Sequence, residues 1–256
     1  MSRMLPGDVP ILDYDPTLDD VVMGIPPRIL PVDLFPPRAV IAFLASTVDD
    51  FAARIKAEVV HTETSINGQH PYWLVPGRCG PIVLVRAHLG APIAVMLAEV
   101  LFRHGVREAV AVGSCGGLRP FAEGEWLVAR RALRDEGTSY HYLPPGRWVD
   151  LDPDLTNRCL TTIRDRALAA TEVDVWTTDA ICRETQDMIS ARLAEGCSAV
   201  DMECSALAAC AQVRGVAFGQ ILFTADSLAG GEHDPRNWGK DSHELALELA
   251  LAAIGG

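Results

Sequence analysis

Four stretches hold residues whose types and spacing could do chemistry. In AVDMECSAL (residues 199–207), Met202 and Glu203 follow an apolar run and open a small-residue helix. An ionised carboxylate there can accept hydrogen bonds from two adjacent hydroxyls, as a ribose diol requires, with Met202 as a soft apolar surface beneath the sugar. The plainer reading is that Glu203 only complements the helix dipole. Asp226 ends GQILFTAD and precedes the glycine-bearing SLAGGEHDPRNWG. Shielded from water, its pKa rises and it can protonate a leaving group; a purine leaving through N9 needs such a donor at N7. Otherwise it is only the N-cap of the next element. The stretch behind it has the glycines of a loop that closes over a substrate.

Arg86 and His88 stand at alternate positions of the strand end LVRAH and so point the same way. With Ser114 of AVAVGSCGGLRP (residues 109–120) they make a fork for a phosphate dianion. A serine and glycines against a buried strand bring a hydroxyl and bare backbone N–H groups up to an anion. Taken singly, Arg86 also reads as a solvated charge and the glycines as a tight turn.

These groups need a scaffold. Continuous apolar runs at 39–45, 81–85, 109–112, 125–131, 173–177, 198–202 and 216–224 read as strands. Helices are expected from residue 48, at 92–104 (proline in the first turn, Gly105 past the end), 153–170, 203–213 (stopped by Gly215) and 243–254. Such alternation predicts an α/β protein, three layers α/β/α with a central mixed, largely parallel sheet. Ligands gather at the carboxyl ends of the strands in these sheets, and Ser46, Thr47, Arg86, His88, Ser114, Glu203 and Asp226 all fall at or beyond such ends. Residues 1–38 hold eight prolines and read as an extended arm, leaving 39–256 as one catalytic domain.

Composition narrows the partners. With 22 basic against 34 acidic residues the net charge is -12, which repels nucleic acid and anionic membranes. No apolar run approaches ~18 residues and the N-terminus lacks an export pattern, so a cytoplasmic protein is expected. The seven cysteines form no CxxC pair and the histidines no HExxH, so reduced thiols and no metal site are expected.

VGSCGGL, EGTSYHY (136–142), TTDAICRE (177–184), AVDMECSAL and TADSLAGG (224–231) occur in the order and spacing of the purine nucleoside phosphorylase and uridine phosphorylase superfamily, whose hydrolytic members include methylthioadenosine nucleosidases. The resemblance spans roughly residues 39–254. It implies a nucleoside phosphorylase-like fold and a homo-oligomer (dimer, trimer or hexamer) in which a neighbour completes the site. It places ribose on Glu203 and Met202 with Leu89 as an apolar contact, phosphate on Ser114, and the base on Asp226, with Cys115, Gly116 and His141 as further base-side residues. No cofactor is implied beyond inorganic phosphate as co-substrate.

The chain also departs from the pattern. Hexameric phosphorylases carry an arginine where Ala111 stands, and a Gly-Asp-x-x-Arg type turn where this chain has residues 45–49, ASTVD. Arg86-x-His88 is similar to the phosphate-binding Arg-x-His of trimeric phosphorylases, and Ser46 or Thr47 can replace the lost loop donor. The uracil-reading glutamine and arginine are not matched at Thr185 and Asp187, which favours a purine. The expected reaction is therefore phosphorolysis of a purine nucleoside. The rivals are a nucleosidase, with Asp49 or Asp50 activating water, and a non-catalytic nucleoside binder.

Overall fold

The computed structural model describes residues 4–18, 20–22, 30–66 and 68–255. The apolar run after the arm forms β1 (Arg38–Ala42), fully buried from Ala39 onward. The chain turns through Ala45, at a positive φ of 48°, into α1 (Ser46–Arg54). An antiparallel hairpin follows, β2 (Glu58–Ser65) and β3 (Gly68–Val75), and leads to β4 (Ile82–Arg86). Next come α2 (Ala91–Arg103), with Pro92 in its first turn where no N–H is needed, and β5 (Glu108–Gly117). The second half contains β6 (Trp126–Asp135), β7 (Trp148–Asp150), α3 (Pro153–Arg164), β8 (Ala170–Thr178), α4 (Gln186–Ala194), β9 (Cys197–Asp201), α5 (Cys204–Arg214), β10 (Ala217–Ser227) and α6 (His243–Gly255). Gly215 ends α5 at a φ of 68°, a left-handed cap that glycine adopts without strain.

The sheet runs β10-β6-β8-β9-β5-β1-β4-β3-β2, and β10 also pairs with β5. Strands β5, β9, β8, β6 and β10 therefore close into a ring, from which β1, β4, β3 and β2 extend as an open wing. The pairs β1–β4, β1–β5, β10–β5, β6–β8 and β8–β9 are parallel, the others antiparallel. One apolar layer packs α2 and α5 on the sheet, and another packs α1, α3 and α6 on its other face. This is the mixed three-layer α/β architecture expected. The hairpin and α4 have no counterpart in the sequence reading, and α3 stops at Arg164, short of residue 170.

The glycine stretch departs most from expectation. Residues 113–117 are neither a turn nor a loop but the second half of β5, in register with β10 as far as Gly117. A Cβ on Gly113 would lie 2.9 Å from Phe43 Cβ, and one on Gly116 2.9 Å from Val200 Cγ1. The glycines are there because neighbouring strands crowd this one.

The described part of the arm lies along α2 and α5. Asp20 pairs with Arg103, the Leu18 carbonyl accepts from Arg214, and Phe35, 4 % exposed, is anchored by its N–H to the His104 carbonyl at 2.8 Å. Residues 1–3, 19 and 23–29 of the arm lie outside the described residues.

Candidate active site

Three strand ends meet around a cavity of about 250 Å3 whose walls include Ala45, His88, Leu89, Ser114, Glu203 and Gln220. Glu203 is the last residue before α5, yet its side chain does not cap that helix. It accepts instead from the Gly90 N–H at 2.5 Å, across the cavity rim. Glu203 thus stands at the N-termini of both α5 and α2, and its bond to Gly90 is made at the latter. Helix capping falls to Asp201, whose Oδ2 accepts from the Cys204 N–H at 2.8 Å. Thr177 Oγ1 (2.8 Å) and Gln220 Nε2 (3.0 Å) also donate to Asp201, which thereby joins β8, β10 and α5.

Burial raises the pKa of both carboxyls, Asp201 to about 6 and Glu203 to about 8. For Glu203 the Asp201 charge adds to the rise, and hydrogen bonds from the Gly90 and Met202 backbones oppose it. The ionised carboxylate expected from sequence is thus disfavoured by the protein surroundings. Two donating hydroxyls would shift it back towards the charged form.

Ser114 is exposed to the cavity from β5. His88 lies on the cavity wall with its ring edge-on to His70, centroids 4.7 Å apart, and its Nε2 is buried without a hydrogen-bond partner. Leu89, 71 % exposed, borders the same space. Met202 is half-buried beside Glu203 but does not line the cavity. Ser46 and Thr47 form the first turn of α1, directly after the cavity-lining Ala45.

Arg86 is not on the cavity wall; its Nη1 is ion-paired with Asp49 of α1. The fork expected from strand alternation is thus split, with His88 facing the cavity and Arg86 held by a carboxylate outside it. Asp50, the other candidate base, is exposed on α1.

Asp226 sits in register with Gly116, two residues beyond Ser114 along β5. It is no N-cap: its Oδ2 lies 2.8 Å from His233 Nε2. Reciprocal backbone bonds between Ser227 and Asp234, both 2.9 Å, fold the intervening loop back over it. Glu184, in TTDAICRE, is raised to about 7 by burial and by the Asp226 charge. His233 and Glu184 went unrecognised in the sequence, because both lie in polar stretches where solvation is the ordinary reading.

Two base-side candidates do not line the small cavity. Cys115 points to the opposite face of β5 from Ser114; it is fully buried, its thiol donates to the Phe223 carbonyl at 3.6 Å, and burial pushes its pKa well up. His141 lines a second, larger cavity of about 1030 Å3 bounded by the arm, the hairpin and α2. The EGTSYHY stretch is largely structural. Glu136 accepts from the Thr138 and Ser139 N–H groups and from Ser205 Oγ of α5, and Arg134 donates to Ser139, Leu143 and Pro144 with Tyr140 packed on its guanidinium. Among the described residues no group of three or more metal-ligating side chains is gathered, and no helix is long and apolar enough to cross a membrane.

The sequence model of the phosphorylase superfamily matches residues 37–254. The chain belongs to that superfamily. Within it, a purine nucleoside phosphorylase of DeoD type from Bacillus cereus is 26% identical over 171 residues, covering 64% of this chain and 72% of that protein. An uncharacterised protein of Acanthamoeba polyphaga mimivirus is 28% identical over 162 residues, covering 62% of this chain and 61% of its own length. Two solved structures share the fold. Purine nucleoside phosphorylase from Toxoplasma gondii, in complex with immucillin-H, superposes with a TM-score of 0.72 at 19% identity, over 86% of this chain and 91% of that one. AMP nucleosidase from Bacteroides thetaiotaomicron gives 0.70 at 20% identity, over 86% and 88%.

Proposed function

We propose that the protein cleaves the N-glycosidic bond of a purine nucleoside with inorganic phosphate, giving the free base and ribose 1-phosphate. The observation that carries this reading is the convergence of Glu203, His88 and Ser114 on one small cavity, with Asp226 one strand repeat further along β5. The sugar diol donates to Glu203, and the backbone about Gly90 fixes that carboxyl in place. Phosphate takes the donors of His88, Ser114 and the Ser46-Thr47 turn. A phosphate oxygen bonds C1′ as the C1′–N9 bond breaks; its electron pair passes to the base, which gains a proton at N7 from the Asp226 side. The transition state resembles an oxocarbenium ion, so positioning the nucleophile and matching developing charge supply most of the acceleration. The relatives named as purine nucleoside phosphorylases support phosphate as the acceptor. The reading includes a cytoplasmic homo-oligomer, with phosphate as co-substrate and no other cofactor.

One observation favours water as the nucleophile. Among the described residues the walls of the small cavity include no arginine or lysine, and the neighbouring Arg86 is paired with Asp49. A phosphate dianion leaving water needs such partners. In this second reading Asp49 activates water and the reaction is hydrolysis.

Purified protein incubated with inosine, adenosine, guanosine and uridine, with and without phosphate, separates the readings. Phosphorolysis gives ribose 1-phosphate, at a rate that rises with phosphate, and prefers purines. Free ribose at an unchanged rate without phosphate would replace it with hydrolysis. Binding without turnover would leave only a nucleoside binder.

A further inference from the structure

Gln220 is a polar side chain in the otherwise apolar run of β10, 2 % exposed, on the wall of the same cavity as Glu203 and Ser114. Its amide orientation is determined by its surroundings. Asp201 already accepts from the Thr177 hydroxyl and the Cys204 N–H, and Gln220 Nε2 adds a third donor to it at 3.0 Å. The nitrogen therefore faces Asp201 and the oxygen faces away. That oxygen, Oε1, is buried and has no hydrogen-bond partner. Its in-register neighbour on β5 is Ala111, whose methyl group offers no donor. A buried acceptor without a donor is costly and is normally paired in a folded protein, so one left over at a ligand cavity marks a place for a ligand donor.

The chemistry of that donor follows from the cavity. A phosphate dianion presents acceptors and would be repelled by a carbonyl oxygen, whereas a neutral hydroxyl matches it. Glu203, on the same wall, is the other acceptor, and the nucleoside carries its secondary hydroxyls on the sugar. We infer that Gln220 reads a secondary sugar hydroxyl through Oε1 and makes the enzyme selective for sugars that carry it. Asp201 acts here as a positioning residue that fixes which end of the amide faces the ligand. The inference rests on the N-glycosidic reading above, and it adds discrimination against a sugar that lacks the recognised hydroxyl.

The test is a cycle between substrate and side chain. Inosine is compared with its 2′-deoxy, 3′-deoxy and 5′-deoxy counterparts in the wild type and in Gln220→Met, which keeps length and removes the acceptor. In the wild type, removing the recognised 2′- or 3′-hydroxyl is expected to lower kcat/KM by ~100-fold or more, because the buried acceptor is then left unpaired. In Gln220→Met that penalty is expected to shrink by ~10-fold or more, with the KM for phosphate unchanged within about twofold. Gln220→Asn, which keeps the amide but withdraws it by one methylene, serves if the first variant does not fold, and the same shrinkage is expected.

An equal penalty in both proteins would overturn the inference. So would a change confined to the 5′-deoxy substrate, or one confined to the KM for phosphate. If ribonucleosides are turned over and the penalty does not move, only the role of Gln220 falls. If no nucleoside is bound or cleaved, the N-glycosidic reading itself has failed and this inference falls with it.

Discussion

Burial makes the charged form of Glu203 costly to the fold. Its folded pKa of about 8 lies above the ordinary carboxylate range. The folded protein therefore keeps a proton that the unfolded chain releases, and stability falls as pH rises from that range through about 8. Glu203→Gln removes this cost and should raise stability at pH values above 8 by about 1–2 kcal/mol, flattening the dependence of Tm on pH, while nucleoside kcat/KM drops by ~100-fold or more. Thermal unfolding across a pH series checks the first part; a Tm profile identical to that of the wild type would remove the buried-charge account. Because sugar hydroxyls donate to the charged form, nucleoside KM in the wild type should fall as pH rises towards 8, and a KM independent of pH would count against the diol. Glu203, His88 and Ser114 were legible as candidates because each sits where an apolar run gives way to a polar residue, whereas Leu89 came with the family resemblance alone. Asp201 and Gln220 carried a fainter signal, polar residues inside or closing buried strands, which must find partners. Cys115 was misread against the period-two rule, under which Ser114 and Gly116 share a face and the residue between them does not.

At the scale of elements, β5 is the hub of the site. It pairs with β1 over Glu108–Val112, with β10 along its whole length, and with β9 at Gly116 and Gly117. A Cβ at Gly116 would lie 2.9 Å from Val200 Cγ1 and 3.3 Å from Asp226 Oδ1. Gly116→Ala is therefore expected to cost about 1–3 kcal/mol of stability and, by displacing Asp226, at least ~10-fold in kcat/KM on purine nucleosides. Denaturant unfolding and steady-state kinetics would show both, and a variant equal to the wild type in each would mean the strands separate freely. Glycines after an apolar run read as a turn because residue type reports local freedom; the approach of Phe43 and Val200 is long-range and leaves no local mark. The β2–β3 hairpin escaped because β2 is polar and half-exposed and β3 contains Pro71, and α4 because Ile189 is its only buried residue. By contrast, α2, α5 and α6 announced themselves through small or apolar runs with proline and glycine at their ends.

On the scale of the whole molecule, the strand and helix alternation was enough to give three layers, whereas the pairing of β10 with β5 was not visible in it. Besides the Phe35 anchor, a knot of charge ties the described part of the arm to this body. Arg103 and Arg214 both bind Glu99, and Arg103 also pairs with Asp20 of the arm. Burial alone would raise the Glu99 pKa, but hydrogen bonds from Arg214 and Arg103 outweigh it and hold the group below its ordinary value. That stabilisation is present above the ordinary carboxylate pKa and is lost as pH falls through the depressed one. Glu99→Gln leaves two guanidinium groups partly buried without their counter-ion and should cost about 2–4 kcal/mol at neutral pH, with loss of the acid-side slope of the wild-type stability curve. Chemical denaturation at neutral and acid pH would measure it; an unchanged slope would assign acid sensitivity to another carboxylate. The closed circuit of β5, β9, β8, β6 and β10 is stitched by main-chain bonds, which a side-chain change that keeps the N–H and the strand spacing leaves in place. Its lip can be rewritten at little cost to the framework beneath it. Arg86 and Asp49 pair outside that circuit, at the end of β4 and in α1, so a substitution at either leaves the main-chain bonds of the ring in place.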